Sequence, residues 1–284
     1  MVTNKDFATP IAPTWCPGCG LYGIKAMIVQ ALVELNISPE QLVITYDVGC
    51  NGNGADKIRS YAFKSLHGRA IPPAIGIKYA NHDLHVITII GDGGLFWEGA
   101  AHWISTAQRN EDITVIVADN QIYGLTTGQS SGTTPKGTQT VSQPNGTKDE
   151  PLNPLLVSLS SGATFVSRGY VGKPLHLKEV IKKAILHKGF SFVDVLSQCI
   201  TWTKKDMNSY YNDVTYDLAS SPKTNTTDLM AALSLANQTE KLPIGVFYNV
   251  KKETLTEKYP LLSKQALINS KVNTNISDLL EEFK

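Results

Sequence analysis

The stretch LHVITIIGDGGLFWEGAAHWISTAQRNEDITVIVADNQIYGLTTGQ, residues 84–129, decides how this chain is read. It opens on an apolar, β-branched run over 86–90, too short for a helix and stopped by Gly91, so it reads as a buried strand. Gly91-Asp92-Gly93-Gly94 turns the chain tightly. Residues 95–109 then read as a helix with Trp97, Ala101, Ile104 and Ala107 near its inner face. A second buried strand, 113–118, ends at Asp119-Asn120. Strand, glycine turn, helix and strand make one βαβ crossover, which predicts a parallel, right-handed unit. Glycines after a strand let backbone N–H groups approach a phosphate, and the helix N-terminus next in the chain attracts its charge. Asp92 and Asn120 both leave C-terminal strand ends, where open α/β sheets bind ligands. A carboxylate, an amide oxygen and nearby carbonyls are hard oxygen donors, suited to Mg²⁺ that also grips a diphosphate. The glycines alone would fit an ordinary βαβ turn equally well.

Outward from this unit, the 284 residues suffice for one large domain or one domain with a small appendage. The formal charge of +1 gives no reason to expect nucleic acid or an anionic membrane as partner. Residues 1–13 lack an apolar signal core, and the longest apolar runs are strand-sized, so a soluble, cytoplasmic chain without membrane contact is expected. Apolar runs predict further strands over 42–48 and 190–196, and helical spacing predicts helices over 21–35, 174–188 and 228–237 and one beginning near Pro72. Residues 129–154 are rich in Gly, Ser, Thr and Pro; so long a loop beside the Asn120 turn reads as a lid or partner contact. A polar tract runs to Thr227, and 276–283 reads as a short amphipathic end.

Four cysteines stand at element ends. Cys16 and Cys19 form Trp15-Cys16-Pro17-Gly18-Cys19-Gly20 before a helix; Cys50 ends the strand in Asp47-Val48-Gly49-Cys50; Cys199 follows another strand. A redox CxxC expects a preceding strand that is missing here, and a disulfide suits a cytosolic chain poorly. Structural zinc and an iron–sulfur cluster both remain open, since only one of the two pairs is close in sequence. If the strands share one parallel sheet, the cysteines and the glycine loop gather on one rim.

Gly91-Asp92-Gly93 with Asn120 at its distance resembles the thiamine-diphosphate signature, in which Asp, Asn and a carbonyl two residues beyond hold Mg²⁺; the positions here are Asp92, Asn120 and Ile122. More of the chain resembles one family, the β subunits of 2-oxoacid:ferredoxin oxidoreductases. The likeness is carried by WCPGCG (15–20), DVGC (47–50), SLHGRAIPPAIGIKYAN (65–81), GDGG (91–94), RNEDITVIVADNQIYGLTTGQ (109–129), HKGFSFVDVLSQC (187–199) and PIGVFY (243–248). It implies a three-layer αβα fold around a mainly parallel sheet: residues 1–200 as the thiamine-diphosphate, Mg²⁺ and iron–sulfur domain, and 201–284 as a small C-terminal extension.

The resemblance further implies a [4Fe–4S] cluster on Cys16, Cys19, Cys50 and Cys199. It implies a cofactor site from Asp47, Val48, Gly49 and Cys50, from Gly91, Asp92, Gly93 and Gly94, and from Asn120, Ile122, Tyr123, Gly124 and Leu125, with His67 beside it. The activity implied is oxidative decarboxylation of a 2-oxoacid with coenzyme A, electrons passing to ferredoxin, and no side chain here is singled out as a general base. An α subunit is implied as partner, supplying the aminopyrimidine-binding domain and its Glu. A non-redox thiamine-diphosphate decarboxylase or carboligase subunit with structural zinc is the alternative, followed by a non-catalytic iron–sulfur protein. Where the family often has GDGD this chain has Gly94; Gly-Cys-Ser is Gly49-Cys50-Asn51; Ser-Pro-Cys is Ser197-Gln198-Cys199; and Ser-Ser-Gly-Thr-Thr follows Gln129. None of these removes a metal or cluster ligand. Lys57 and Arg59 read either as receivers of a substrate carboxylate or as a solvated face, Glu98 as a surface or helix-start residue, and Trp97, Trp103 and the methionines as core.

Overall fold

The computed structural model describes residues 1–220, 225–271 and 275–283, and thus all of the polar tract up to Thr227 except 221–224. Among the described residues ten strands form: β1 Leu42–Tyr46, β2 Tyr61–Lys64, β3 His85–Gly91, β4 Thr114–Asp119, β5 Ile122–Tyr123, β6 Gln129–Ser130, β7 Phe165–Tyr170, β8 Ser191–Leu196, β9 Thr215–Asp217 and β10 Leu242–Asn249. Eight make one sheet in the order β2-β1-β3-β4-β8-β7-β10-β9, and β5 with β6 makes a small hairpin. From β2 to β7 every neighbouring pair is parallel; β10 runs antiparallel to β7, with β9 parallel beside it. Apolar runs on β1, β3, β4 and β8 make strands buried on both faces, as a sheet sandwiched between helices requires.

The helices form a layer on each face of this sheet. On one face α1 (Gly20–Glu34) packs beside the helix Pro174–Leu186, placing Ile24, Ile28, Leu32 and Ile181 against Ile44, Ile87, Ile116 and Val193. The other face carries the helices Ile71–Ala80, Ala100–Arg109, Pro154–Ser160 and Leu229–Ala236, covering Val86, Ile90, Val115, Val117 and Phe192. Each such aliphatic side chain contributes about 1.5–3 kcal/mol on full burial. In chain order these helices are α1, α2 (Ile71–Ala80), α3 (Ala100–Arg109), α4 (Pro154–Ser160), α5 (Pro174–Leu186), α6 (Met207–Val214) and α7 (Leu229–Ala236). Asp228 caps α7 by accepting from the Met230 and Ala231 amides, and the short end helix is Ser277–Glu281. Residues 201–284, read from sequence as an extension, contribute β9 and β10 to the sheet and α7 to its face. Among the described residues no helix is long and apolar enough to cross a membrane.

The helix expected over 95–109 is two elements. Gly94–Glu98 is a π-helical turn, Gly99 breaks it, and only Ala100–Arg109 is α-helical. A Cβ on Gly99 would stand 2.9 Å from both the Gly68 and the Gly94 carbonyl oxygens, so the break admits no larger residue. The wider turn rotates the phase of the α-helix after it. Trp103, Thr106 and Ala107 therefore face the core, while Trp97 is 53% and Ile104 44% exposed, against the inner face expected for both. Of the methionines, Met27 and Met207 are buried but Met1 and Met230 are exposed.

Candidate active site

Because β1, β3, β4 and β8 are parallel neighbours, their C-terminal ends release Asp47–Cys50, Asp92–Gly94, Asn120–Leu125 and Ser197–Cys199 along one rim. A cleft of about 150 Å³, open to solvent on one side, lies there. Its walls are Val48, Gly49, Cys50, His67, Gly91, Asp92, Gly93, Gly94, Asn120, Ile122, Tyr123, Gly124 and Leu125, together with Leu21, Asn51, Ala118 and Thr126. Asp47 stands behind the wall, fully buried. Lys57 and Arg59 do not line it: Lys57 is buried with Nζ 2.8 Å from Asp56, and Arg59 lies 3.6 Å from Glu40.

At one end Asp92 is buried, and Ser131 and Thr133 donate to its Oδ2, Thr133 at 3.1 Å. Thr133 also reaches Asp119 Oδ1 at 2.8 Å, so one hydroxyl lies between two buried carboxylates. Burial pushes the Asp92 carboxyl up to about 6, and burial plus the charges of Asp194 and Asp92 push Asp119 well above the ordinary range. Behind them Asp194, also fully buried, accepts from Arg168 Nε at 2.8 Å. Three buried carboxyl groups thus share one guanidinium, and a divalent cation at Asp92 would favour its ionised form. The turn after β4 is set by side-chain carbonyls: Asp119 Oδ1 accepts from Gln121 N and Asn120 Oδ1 from Ile122 N, both at 3.1 Å, with Gln121 left-handed at φ 61°.

Glycine is required where the backbone forms the cleft floor. A Cβ on Gly93 would stand 2.4 Å from the Tyr123 ring edge, and one on Gly94 would stand 2.0 Å from Asp47 Oδ2 and 3.2 Å from His67 Cε1. Asp47 in turn accepts from Asn51 Nδ2. Glu98, read from sequence as a surface residue, accepts from Tyr123 OH at 2.9 and 3.0 Å and faces His67 Nε2 at 3.8 Å. Glu98 is exposed, as read from sequence, and Asn51, Ser131 and Thr133, noted there only as departures from the family pattern, are the residues whose contacts sequence reading missed. Ser131 and Thr133 had a signal, a hydroxyl-rich run directly after the Asn120 turn.

At the other end the four cysteines converge, all as free thiols with Cys16 exposed. A Cβ built on Gly124 would lie 3.3 Å from Cys199 Sγ and 3.6 Å from Cys50 Sγ. Thr201 Oγ1 lies 3.1 Å from Cys16 Sγ, tying the N-terminal turn to the segment after Cys199. Trp15 Nε1 donates to the Cys50 carbonyl at 2.7 Å, and Gly20 sits directly on Ser197. Burial, then the charges of Cys19, Cys199 and Cys16, push the Cys50 thiol up to about 11, and burial raises Cys19 likewise. Among the described residues, no three His, Cys, Asp or Glu side chains are set closely enough to hold one metal ion.

Residues 47–195 match the model of the C-terminal, thiamine-pyrophosphate-binding domain of thiamine pyrophosphate enzymes. Residues 199–264 match the model of the C-terminal part of pyruvate ferredoxin oxidoreductase β chains. The chain is 38% identical to the β subunit of 2-oxoacid:ferredoxin oxidoreductase from Saccharolobus solfataricus, over 94% of this chain and 95% of that one. It is 34% identical to the 2-oxoglutarate synthase subunit KorB of Methanocaldococcus jannaschii, over 88% and 93%. Its fold matches a 2-oxoglutarate:ferredoxin oxidoreductase from Magnetococcus marinus, solved with 2-oxoglutarate, coenzyme A and succinyl-CoA bound, with a TM-score of 0.92 at 34% identity, over 100% of this chain and 96% of that one. A thiamine-diphosphate-binding domain on a three-layer α/β fold, with relatives of this identity over nearly the full length, gives the assignment: the chain belongs to the 2-oxoacid:ferredoxin oxidoreductase family, as a β subunit.

Proposed function

We propose that this chain binds thiamine diphosphate and Mg²⁺ in the strand-end cleft, holds a [4Fe–4S] cluster on Cys16, Cys19, Cys50 and Cys199, and acts in the cytoplasm. The reaction is 2-oxoacid anion plus coenzyme A thiol to acyl-CoA, CO₂, one proton and two electrons, the electrons leaving singly to ferredoxin. When bound, thiamine diphosphate supplies the carbanion chemistry and the cluster the one-electron steps. The observation that carries the reading is Gly124, a cleft residue at which a Cβ would lie 3.3 Å from Cys199 Sγ and 3.6 Å from Cys50 Sγ, so that cofactor space and thiols share a wall.

This chain's own residues do the holding. Asp92, the Asn120 amide and the Ile122 carbonyl are the Mg²⁺ donors, and the Gly93-Gly94 backbone, bare of side chains, receives the diphosphate. A structural zinc knot commonly draws on two close CxxC pairs, whereas only Cys16 and Cys19 form one here, which favours a cluster on the four cysteines. Val48, Leu66, Trp97 and Leu125 are exposed at or beside the cleft, which supports a partner that covers it and brings the aminopyrimidine-binding Glu. Iron, acid-labile sulfide and low-temperature EPR on anaerobically co-purified complex test the reading. The expected result is a reducible four-iron signal, lost in Cys199→Ala together with electron transfer, while decarboxylation persists in part. A colourless, zinc-loaded wild type would overturn it.

A further inference from the structure

Of the side chains lining the cleft, His67 alone can carry positive charge. Acidic groups face its ring on two sides: Nδ1 lies 3.3 Å from Asp47 Oδ2, and Nε2 lies 3.8 Å from Glu98 Oε1. Asp47 is fully buried at the end of β1, and its other oxygen accepts from Asn51. Its carboxylate occupies the space that a side chain at 94 would need, and it reaches His67 across that space only because residue 94 is glycine. A buried carboxylate needs a proton or a cation beside it. The remaining groups around the ring do not provide one. Arg69 on the α2 side donates to the Gly68 and Glu98 carbonyls, Tyr123 OH on β5 is bound to Glu98, and Asp92 beyond Gly93 is acidic and held by Ser131 and Thr133. His67 is thus the one cation among the groups that face Asp47.

We propose that Asp47 is a positioning residue that holds His67 as an imidazolium on the cleft wall, where it receives an oxyanion of the cofactor's diphosphate. The proposal deepens the function above and rests on it. The diphosphate is the anion chosen because His67 lies at the Gly94 end of the cleft, whereas the thiols lie at the Gly124 end. The carboxylate of the 2-oxoacid is the other source of the same chemistry, and the test separates the two. The close contact with Asp47 raises the His67 pKa against a lowering by burial, while burial raises the Asp47 carboxyl against a lowering by His67 and Asn51. A His with a raised pKa is charged below that value and loses its hold on an anion as pH rises through it.

The test is calorimetric binding of Mg²⁺-thiamine diphosphate to the assembled enzyme across about pH 6 to 9, with the KM for 2-oxoacid measured alongside. Wild type should lose affinity as pH rises through the raised His67 pKa. In Asp47→Asn that loss should move down toward the ordinary value of about 6.5, weakening binding about tenfold at pH near 7.5, with the KM little changed. His67→Gln should remove the pH step. Superimposable profiles for wild type and Asp47→Asn would overturn the proposal, as would a raised KM with unchanged cofactor affinity, which would assign His67 to the 2-oxoacid. If Asp47→Asn does not assemble, the His Cε1 NMR signal of the wild type that is missing in His67→Gln serves instead. It should titrate above about 6.5, and a midpoint at or below that value refutes the pairing. A wild type that binds no thiamine diphosphate would instead sink the function proposed above, and the NMR titration would still test Asp47 and His67.

Discussion

At the scale of residues, the site depends on buried charge held by neutral donors. Asp92 is the sole carboxylate of the proposed Mg²⁺ set, so Asp92→Ala should weaken Mg²⁺-dependent thiamine-diphosphate binding by more than the roughly 10–100-fold that loss of a mere supporting residue costs a metal site. Asn120→Ala should weaken it less, because a neutral amide oxygen is the poorer donor for a hard cation. Equilibrium dialysis with Mg²⁺ present checks both, and unchanged affinity in Asp92→Ala would remove Asp92 from the site. The strand-end positions of Asp92, Asn120 and Cys50 were legible in sequence, because a parallel sheet delivers every such end to one rim. Their partners were not. Thr133 reaches Asp92 and Asp119 from a loop with no periodicity, and the Asp47–His67 pairing depends on the emptiness of Gly94.

At the scale of elements, two glycines carry the clearest consequences. Gly93→Ala would drive a methyl into the Tyr123 ring and break its bonds to Glu98; overpacking of this kind costs about 1–3 kcal/mol. The melting temperature should fall, and thiamine-diphosphate affinity with it. Gly124→Val tests the other end. The Gly124 backbone is not left-handed, so a side chain is conformationally allowed there and acts only by crowding Cys50 and Cys199. Iron content per chain should drop while the circular dichroism spectrum stays near wild type; full iron occupancy would contradict the shared wall. Among the elements themselves, continuous apolar runs marked β1, β3, β4 and β8. The π turn had no such mark, and it turned Trp97 outward. β2 is exposed along its whole length, and β7 carries the buried Arg168, so neither shows the apolar run that identifies an inner strand.

For the whole molecule, the topology puts the cofactor cleft at an open rim with exposed Leu66, Trp97 and Leu125 beside it. A chain that supplies the diphosphate half of a site should be inactive alone. Purified without a partner it should turn over no 2-oxoacid with coenzyme A and a redox dye, and adding the partner should restore the rate; activity of the isolated chain would reject the divided site. The parallel pairing at the core followed from the βαβ pattern read over residues 84–129, and the three layers from the family resemblance. The reversal at the far edge, where β10 lies antiparallel to β7, did not, because strand direction there is set by how the chain returns after α7 and leaves no trace in residue spacing.

The hydroxyls on Asp92 tie it to the long loop. Ser131 and Thr133 donate to Asp92 Oδ2, and Thr134, from the same segment, donates to the Gln121 carbonyl at 2.6 Å. A Mg²⁺ ion held at Asp92, as proposed, would meet these hydroxyls, and the start of the long loop would respond to its arrival. That makes the loop a reporter of loading: amide hydrogen exchange over residues 129–143 should change when Mg²⁺ and thiamine diphosphate are added together, while the strands beneath stay protected.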